Sequence, residues 1–284
     1  MTGPVSMEAW ASVRRASAVL LLSIFSCTRI VDPVLDSGAE QFERPLVYAR
    51  WWSMVESCSG IHGSLSDITW YQVPGATVNL DGQDVSGYWS RGSNSIVLAS
   101  DEVLGGPIVR HEMLHALVRQ PGHSREYFLN RCGGIVSCAS ACVTDAGPAP
   151  QIDASTVHTS SDALRLRATV EPASPSSSID GGVFTLIITA TNTNPYPIVV
   201  DPNPSAGHYG FFYTLLGVSG GISGTGGAVD SSVRFYASGE TKSQYFDFSI
   251  GANLGRGIVS PGTYQVYGGY DSRAVTLEGV TIGP

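Results

Sequence analysis

The sequence predicts an α+β domain followed by an all-β domain, and three observations support this prediction. The chain has 284 residues, which is more than one domain usually contains. Before residue 143, segments with apolar residues at helical spacing are separated by short strand-like segments. After residue 162, roughly eight segments alternate apolar and polar residues without a helical period, which is typical of a β-sandwich.

Composition and charge argue against several classes of protein. Hydrophobic residues make up 43% of the chain, enough for a sizeable core, whereas only 14% of the residues are charged. The net charge of −8 argues against nucleic acid as a partner, because a nucleic-acid groove needs an excess of Lys and Arg. The sequence has no run of about 20 apolar residues, so we do not expect a membrane-spanning helix.

Residues 1–27 have the layout of an export signal. Arg14 and Arg15 precede an apolar run over 16–25, and small residues follow it. The end of this run, "IFSC", resembles a bacterial lipobox, which implies lipidation of Cys27. We therefore expect an exported protein, either lipid-anchored in the cell envelope or secreted. The alternative is a buried amino-terminal helix.

The first domain is predicted to span residues 37–142. A helix is expected over 44–58, and the Asp81-Gly82 pair predicts a hairpin turn. Residues 93–100, "SNSIVLAS", indicate a strand. Pro107 predicts the start of a second helix, and Pro121-Gly122 its end.

This second helix contains the sequence "HEMLH". Residues four apart lie on one face of a helix, so His111 and His115 can each offer an imidazole nitrogen to a single ion. Glu112 is rotated by about 100° and can reach a water on that ion without binding the ion itself. This pattern predicts a Zn²⁺ site in which Glu112 is the general base.

A third ligand is expected directly after the helix, because a catalytic zinc usually has three protein ligands. Pro121-Gly122 lets the chain turn back, and His123 follows at once. The stretch "HEMLHALVRQPGHSREY" resembles the short SprT-like zincins, in which Gly-His and then an aromatic residue follow HExxH. Glu126 is the competing third ligand, since some zincins use a glutamate. Tyr127 is expected to pack under the metal helix.

The resemblance to zincins covers about 20 of the 284 residues. It implies a zincin-like metallopeptidase domain and a sheet edge beside the HExxH helix, where a peptide can add as a strand. Residues 93–100 are the expected edge.

Four further cysteines remain after Cys27: Cys58, Cys132, Cys138 and Cys142. An even number of cysteines in an exported chain favours disulfides, and a link from Cys58 into residues 132–142 would tie the first helix to the region behind the site. The alternative is a structural zinc site, although no C-x2-C pair is present.

Residues 143–162 are predicted to be a linker, since they combine prolines with small polar residues. The segments "TATNTNPYPIVV" and "SPGTYQVYG" in residues 163–284 resemble strands of bacterial immunoglobulin-like domains. The resulting fold class is an α+β zincin-like domain followed by an all-β immunoglobulin-like sandwich.

Together these patterns predict an exported zinc metallopeptidase that acts on a peptide or protein. The alternative is a cell-envelope binding or proteinase-inhibitor-like protein. In that case the β-sandwich would be the functional part and the HExxH domain would be inactive.

Overall fold

The computed structural model describes most of the chain after residue 37. The described residues are 35, 38–138, 140–145, 158–159, 164–178, 180–200, 210–217, 220–226, 235–251, 258–270 and 273–284. All of them belong to one compact unit. The predicted export signal with Cys27 lies outside them, as do residues 146–157 and 160–162 of the predicted linker.

The first half of the chain contains both helices and strands. In chain order its elements are β1 (Glu40–Gln41), α1 (Val47–Ser59), β2 (Thr69–Val73), β3 (Val78–Leu80), β4 (Gln83–Val85), β5 (Gly87–Ser90), β6 (Ser95–Ala99), α2 (Gly106–Val118), a π-helical segment (Arg125–Arg131) and α3 (Ser140–Asp145). Helix α2 forms where the two prolines predicted it. The predicted turn at Asp81 and Gly82 is also confirmed, since both residues have positive φ between β3 and β4.

A four-stranded sheet lies at the centre of this half, in the order β1-β2-β6-β5. Strands β2 and β6 are parallel, whereas β1 and β5 are antiparallel to their neighbours. Ile96 and Leu98 of β6 pack with α1 and α2 in one hydrophobic cluster. Val97 and Ala99 belong to a second cluster with the β3–β4 hairpin, because successive side chains point to opposite faces.

The expectation that residues 93–100 form a sheet edge is wrong. Strand β6 lies between β2 and β5, and all five of its residues are buried. Its continuous apolar run is explained by burial on both faces of the sheet, which is the pattern of an interior strand. The edge strand next to α2 is β5.

Strands dominate the second half. In chain order they are β7 (His158–Thr159), β8 (Leu164–Glu171), β9 (Val183–Asn192), β10 (Ile198–Val199), β11 (Phe211–Gly217), β12 (Gly220–Gly226), β13 (Phe235–Tyr236), β14 (Thr241–Ile250), β15 (Ile258–Val259), β16 (Gly262–Tyr270) and β17 (Arg273–Ile282). Two four-stranded sheets, β15-β14-β9-β8 and β12-β11-β16-β17, share one hydrophobic cluster. A third sheet has the order β13-β10-β7.

The two halves are in direct contact. Val183 of β9 is buried in the hydrophobic cluster of the first half, and Tyr245 of β14 packs against that cluster. The backbone N–H of Tyr245 donates to the Gly134 carbonyl at 3.0 Å. On α1, Arg50 donates to the carbonyl oxygens of Glu171 and Val183 at 2.6 and 2.9 Å.

The predicted fold class, an α+β zincin-like domain followed by an immunoglobulin-like sandwich, is therefore wrong. The described part of the chain is mainly β, with 44% of the described residues in strands, and these residues form three α-helices and several sheets. The sequence predicted strand segments at β10 and β13 but not their pairing with β7 in a third sheet, because strands of two residues carry no periodicity that indicates their partners. No helix in the described part of the chain is long and apolar enough to cross a membrane.

Gly134 allows the backbones of the two halves to approach each other, and its replacement tests this packing. A Cβ at this position would overlap the backbone oxygen of Ser243, which cannot rotate away. We expect Gly134→Ala to lower the free energy of unfolding by about 3 kcal/mol. Urea denaturation followed by tryptophan fluorescence measures the change.

Gly122→Ala is the matched control, because no atom lies within 4 Å of its added Cβ. We expect a change of at most about 0.5 kcal/mol there. Equal stabilities of the two variants would contradict the close contact at Gly134.

Candidate metal centre

Helix α2 presents two histidines on one face. Pro107 occupies its first turn, and Arg119, in the left-handed conformation, ends it by donating its N–H to the His115 carbonyl. His111 and His115 are one helical turn apart, and their Nε2 atoms lie 3.1 Å from each other. The helix thus brings the first two predicted ligands together.

His123 reaches the same point from the segment after the helix. Its Nε2 atom is 3.1 Å from Nε2 of His111. The three histidines offer ligand atoms that all lie within 4.8 Å of one another. All three sequence-predicted ligands therefore meet at one place.

The outer nitrogens of two of the rings are held by hydrogen bonds. Nδ1 of His115 is 2.7 Å from the Gln120 carbonyl oxygen, which can only accept. Nδ1 of His123 is 2.9 Å from a carboxylate oxygen of Asp145. In the neutral form of each ring the proton is thus on Nδ1, and the lone pair of Nε2 faces the other two rings.

His111 and His115 are held in their neutral form. Burial lowers the pKa of His111 well below its usual value, and the adjacent His115 and His123 lower it further. Burial lowers the pKa of His115 to about 4, against the opposing effect of the Gln120 carbonyl. A neutral imidazole is the form that binds a metal.

The donor set fits a zinc ion. Two nitrogens at about 2.0–2.1 Å from a tetrahedral zinc lie about 3.3 Å apart, close to the 3.1 Å distances found here. Nitrogens at these distances can share an Nε2–H proton in a hydrogen bond or, when their lone pairs are all free, surround a cation. A cation is one partner that this geometry accommodates.

Phe128 of the π-helical segment packs against all three histidine rings. The ring-centroid distances are 5.1, 4.6 and 5.0 Å for His111, His115 and His123. Phe128 is fully buried. Tyr127, which the sequence predicted to pack under the metal helix, is half-buried against the hydrophobic cluster that includes α2, and its ring also lies near Arg131.

Glu126 is not brought to the cluster. Its Oε1 atom accepts a hydrogen bond from Nε of Arg131 at 2.6 Å, and it does not belong to either potential ligand group among the described residues. The geometry therefore favours His123 over Glu126 as the third ligand.

The four cysteines are paired as Cys58–Cys132 and Cys138–Cys142. The first disulfide joins helix α1 to the end of the π-helical segment. The second lies next to His111. Because all four sulfurs are in disulfides, none of them is available as a thiolate ligand in this structure.

Glu112 is buried on the side of α2 that faces β5. Its Cγ lies near Gly87, and its carboxyl group accepts a hydrogen bond from the backbone N–H of Trp89. Burial raises the pKa of Glu112 to about 8, against the opposing effect of that N–H. The carboxyl group can therefore change protonation state near neutral pH.

Asp145 is the polar residue of the site that sequence reasoning missed. It lies at the end of α3, within the segment 143–162 that the sequence predicted to be a linker. No periodicity or motif surrounds it. Only the folded chain shows that it hydrogen-bonds to His123.

No family model and no curated protein matches the chain. Among solved structures it has a weak likeness to the Pseudomonas fluorescens alkylpurine DNA glycosylase AlkC, bound to DNA that contains an abasic site analog. The identity is 14%, the TM-score 0.27, and the match covers 41% of this chain and 30% of the glycosylase chain.

A β-glucosidase from Listeria innocua, in complex with isofagomine, gives 13% identity and a TM-score of 0.25. Here 43% of this chain and 16% of that chain are covered. The chain thus spans less than a third of either protein, and these likenesses carry no argument about function.

Substitution of the third histidine tests the ligand set. We expect His123→Ala to lose stoichiometric zinc, since only two protein ligands remain, and Glu126→Gln to retain it. Metal analysis after dialysis against a weak chelator measures both. Zinc that is retained in His123→Ala and lost in Glu126→Gln would mean that Glu126 is the third ligand.

Asp145→Ala should weaken zinc binding about 10- to 100-fold, because the carboxylate orients His123 and makes its Nε2 more basic. Competition with a chromophoric chelator measures the affinity. Asp84→Ala, on the exposed strand β4, is the matched control and should leave the affinity unchanged. Equal affinities of the two variants would mean that Asp145 does not orient the ligand.

Proposed function

We propose that the protein is an exported zinc-dependent metallopeptidase that hydrolyses peptide bonds. The observation that carries this proposal is the convergence of the Nε2 atoms of His111, His115 and His123, with buried Glu112 next to the first ligand. Three protein ligands leave one position open, as in catalytic zinc sites. Bound zinc would supply an acidified water and a Lewis acid for the peptide carbonyl.

Glu112 is the proposed general base. It accepts the proton of the attacking water and then returns this proton to the leaving amine. Burial raises the pKa of Glu112, which makes its carboxylate a stronger base and lets it hold the proton between the two transfers. The hydrogen bond from Trp89 fixes its orientation.

A peptide substrate is supported by the position of strand β5. The N–H of Ala99 donates to the Ser86 carbonyl at 3.0 Å. Backbone groups alternate in an antiparallel pair, so those of Gly87 and Trp89 point away from β6. Because the Trp89 N–H donates to Glu112, an extended peptide that adds along this edge would bond to the Gly87 backbone and the Trp89 carbonyl, close to Glu112.

The two disulfides support export, because such bonds persist in oxidising compartments. Lipidation of Cys27 remains a prediction, and its direct test is mass spectrometry of the mature amino terminus.

Glu112→Gln tests the mechanism. We expect the variant to bind zinc as the wild type does and to lose about 10²- to 10⁴-fold in kcat, because the amide cannot take the proton. Fluorogenic peptide libraries measure hydrolysis, and metal analysis measures zinc. Glu43→Gln, at an exposed position, is the control and should retain full activity.

Hydrolysis that survives Glu112→Gln would exclude Glu112 as the base. A wild-type protein that carries zinc and cleaves no peptide would instead favour the alternative of a binding or inhibitor protein.

A further inference from the structure

We propose that Asp247, in the second half of the chain, is a positioning residue for the metal-binding helix α2. It acts through Arg110, the residue that precedes His111. This inference rests on the proposed zinc centre, because its consequence is measured on the metal ligands. It gives the second half of the chain a role in placing the metal ligands.

Arg110 is a buried cation on the metal helix. Its side chain is completely inaccessible to solvent. Its Nε donates to the Ile135 carbonyl at 2.5 Å, and its guanidinium lies 5.6 Å from the centroid of the Trp51 ring. The carbonyl and the ring do not neutralise the charge, so the interior must supply an anion.

Asp247 of β14 is that anion. Its Oδ2 atom is 2.7 Å from Nη2 of Arg110, and only 6% of its side chain is exposed. Its Oδ1 accepts a hydrogen bond from the Thr185 hydroxyl at 2.7 Å. Because Thr185 lies on β9, the strand paired with β14, the carboxylate is fixed to the sheet of the second half.

The same carboxylate also lies against the first residue of α2. A Cβ on Gly106 would overlap Oδ2 of Asp247, so glycine is what allows the approach. A negative charge next to the amino terminus of a helix interacts favourably with the helix dipole. Asp247 therefore contacts α2 at two points, Gly106 and Arg110.

These two contacts fix where the helix places His111 and His115. His123 is located by a different segment and is held by Asp145. Each metal ligand must lie within about 0.5 Å of the position that coordination requires. Without the Asp247 charge, Arg110 would be an unpaired buried cation, and α2 would shift or admit water to solvate it. That shift would separate the two helical ligands from His123.

The experiment compares the full-length wild type with three variants. Asp247→Asn removes the charge and keeps the shape. Thr185→Val removes the hydroxyl that holds Asp247, and we expect this milder variant to fold. Asp180→Asn is the control, because Asp180 joins the halves through Arg50 on α1, with Oδ2 3.2 Å from Nε, and does not contact α2.

Three quantities are measured for each protein: zinc affinity by chelator competition, the visible spectrum after cobalt(II) substitution, and thermal unfolding of the metal-free form. We expect Asp247→Asn to weaken zinc binding about tenfold and to change the cobalt spectrum. Thr185→Val should change both in the same direction to a smaller extent. Asp180→Asn should leave both unchanged, even if the unfolding temperature falls.

An unchanged affinity and cobalt spectrum in Asp247→Asn, or equal changes in Asp180→Asn, would overturn the inference. If Asp247→Asn does not fold, Thr185→Val is used in its place. An unchanged zinc affinity and cobalt spectrum in Thr185→Val would then overturn the inference. Wild-type protein that binds zinc but cleaves no peptide would overturn the proposed function alone. Wild-type protein that binds neither metal would overturn both.

Discussion

Burial of helix α2 is the constraint on which the rest of the site depends. The helix packs against the first sheet and α1, and β14 of the second half reaches it at Gly106 and Arg110. A polar group on such a helix needs a partner inside the protein, since water is excluded. Arg110 has Asp247, Glu112 has the Trp89 N–H, and His115 has the Gln120 carbonyl.

Burial also prepares these groups for chemistry. The same loss of solvent lowers the pKa values of His111 and His115 and raises that of Glu112, because each charged form is disfavoured in the interior. Neutral imidazoles can bind a cation, and a carboxyl group that titrates near neutrality can exchange a proton. The proposed ligands and the proposed base thus derive their properties from one environment.

The remaining parts of the site come from segments after the helix. The π-helical segment supplies Phe128, and the disulfide Cys58–Cys132 joins its end to α1. Helix α3 supplies Asp145, and the disulfide Cys138–Cys142 lies at its beginning. Short segments of this kind have little core of their own, so covalent links to neighbouring elements restrict where their side chains can lie.

The sequence by itself determined the elements whose signals are local: helix α2 between its two prolines, the hairpin turn at Asp81-Gly82, and the spacing that brings His111 and His115 to one face. The change of chain direction at Pro121-Gly122 also predicted His123 as the third ligand. Only the tertiary structure decided that β6 is an interior strand, that the fold is mainly β, that Asp145 bonds to His123, and that Asp247 contacts helix α2. These outcomes depend on contacts between residues far apart in the chain, and neither periodicity nor turn chemistry records such contacts.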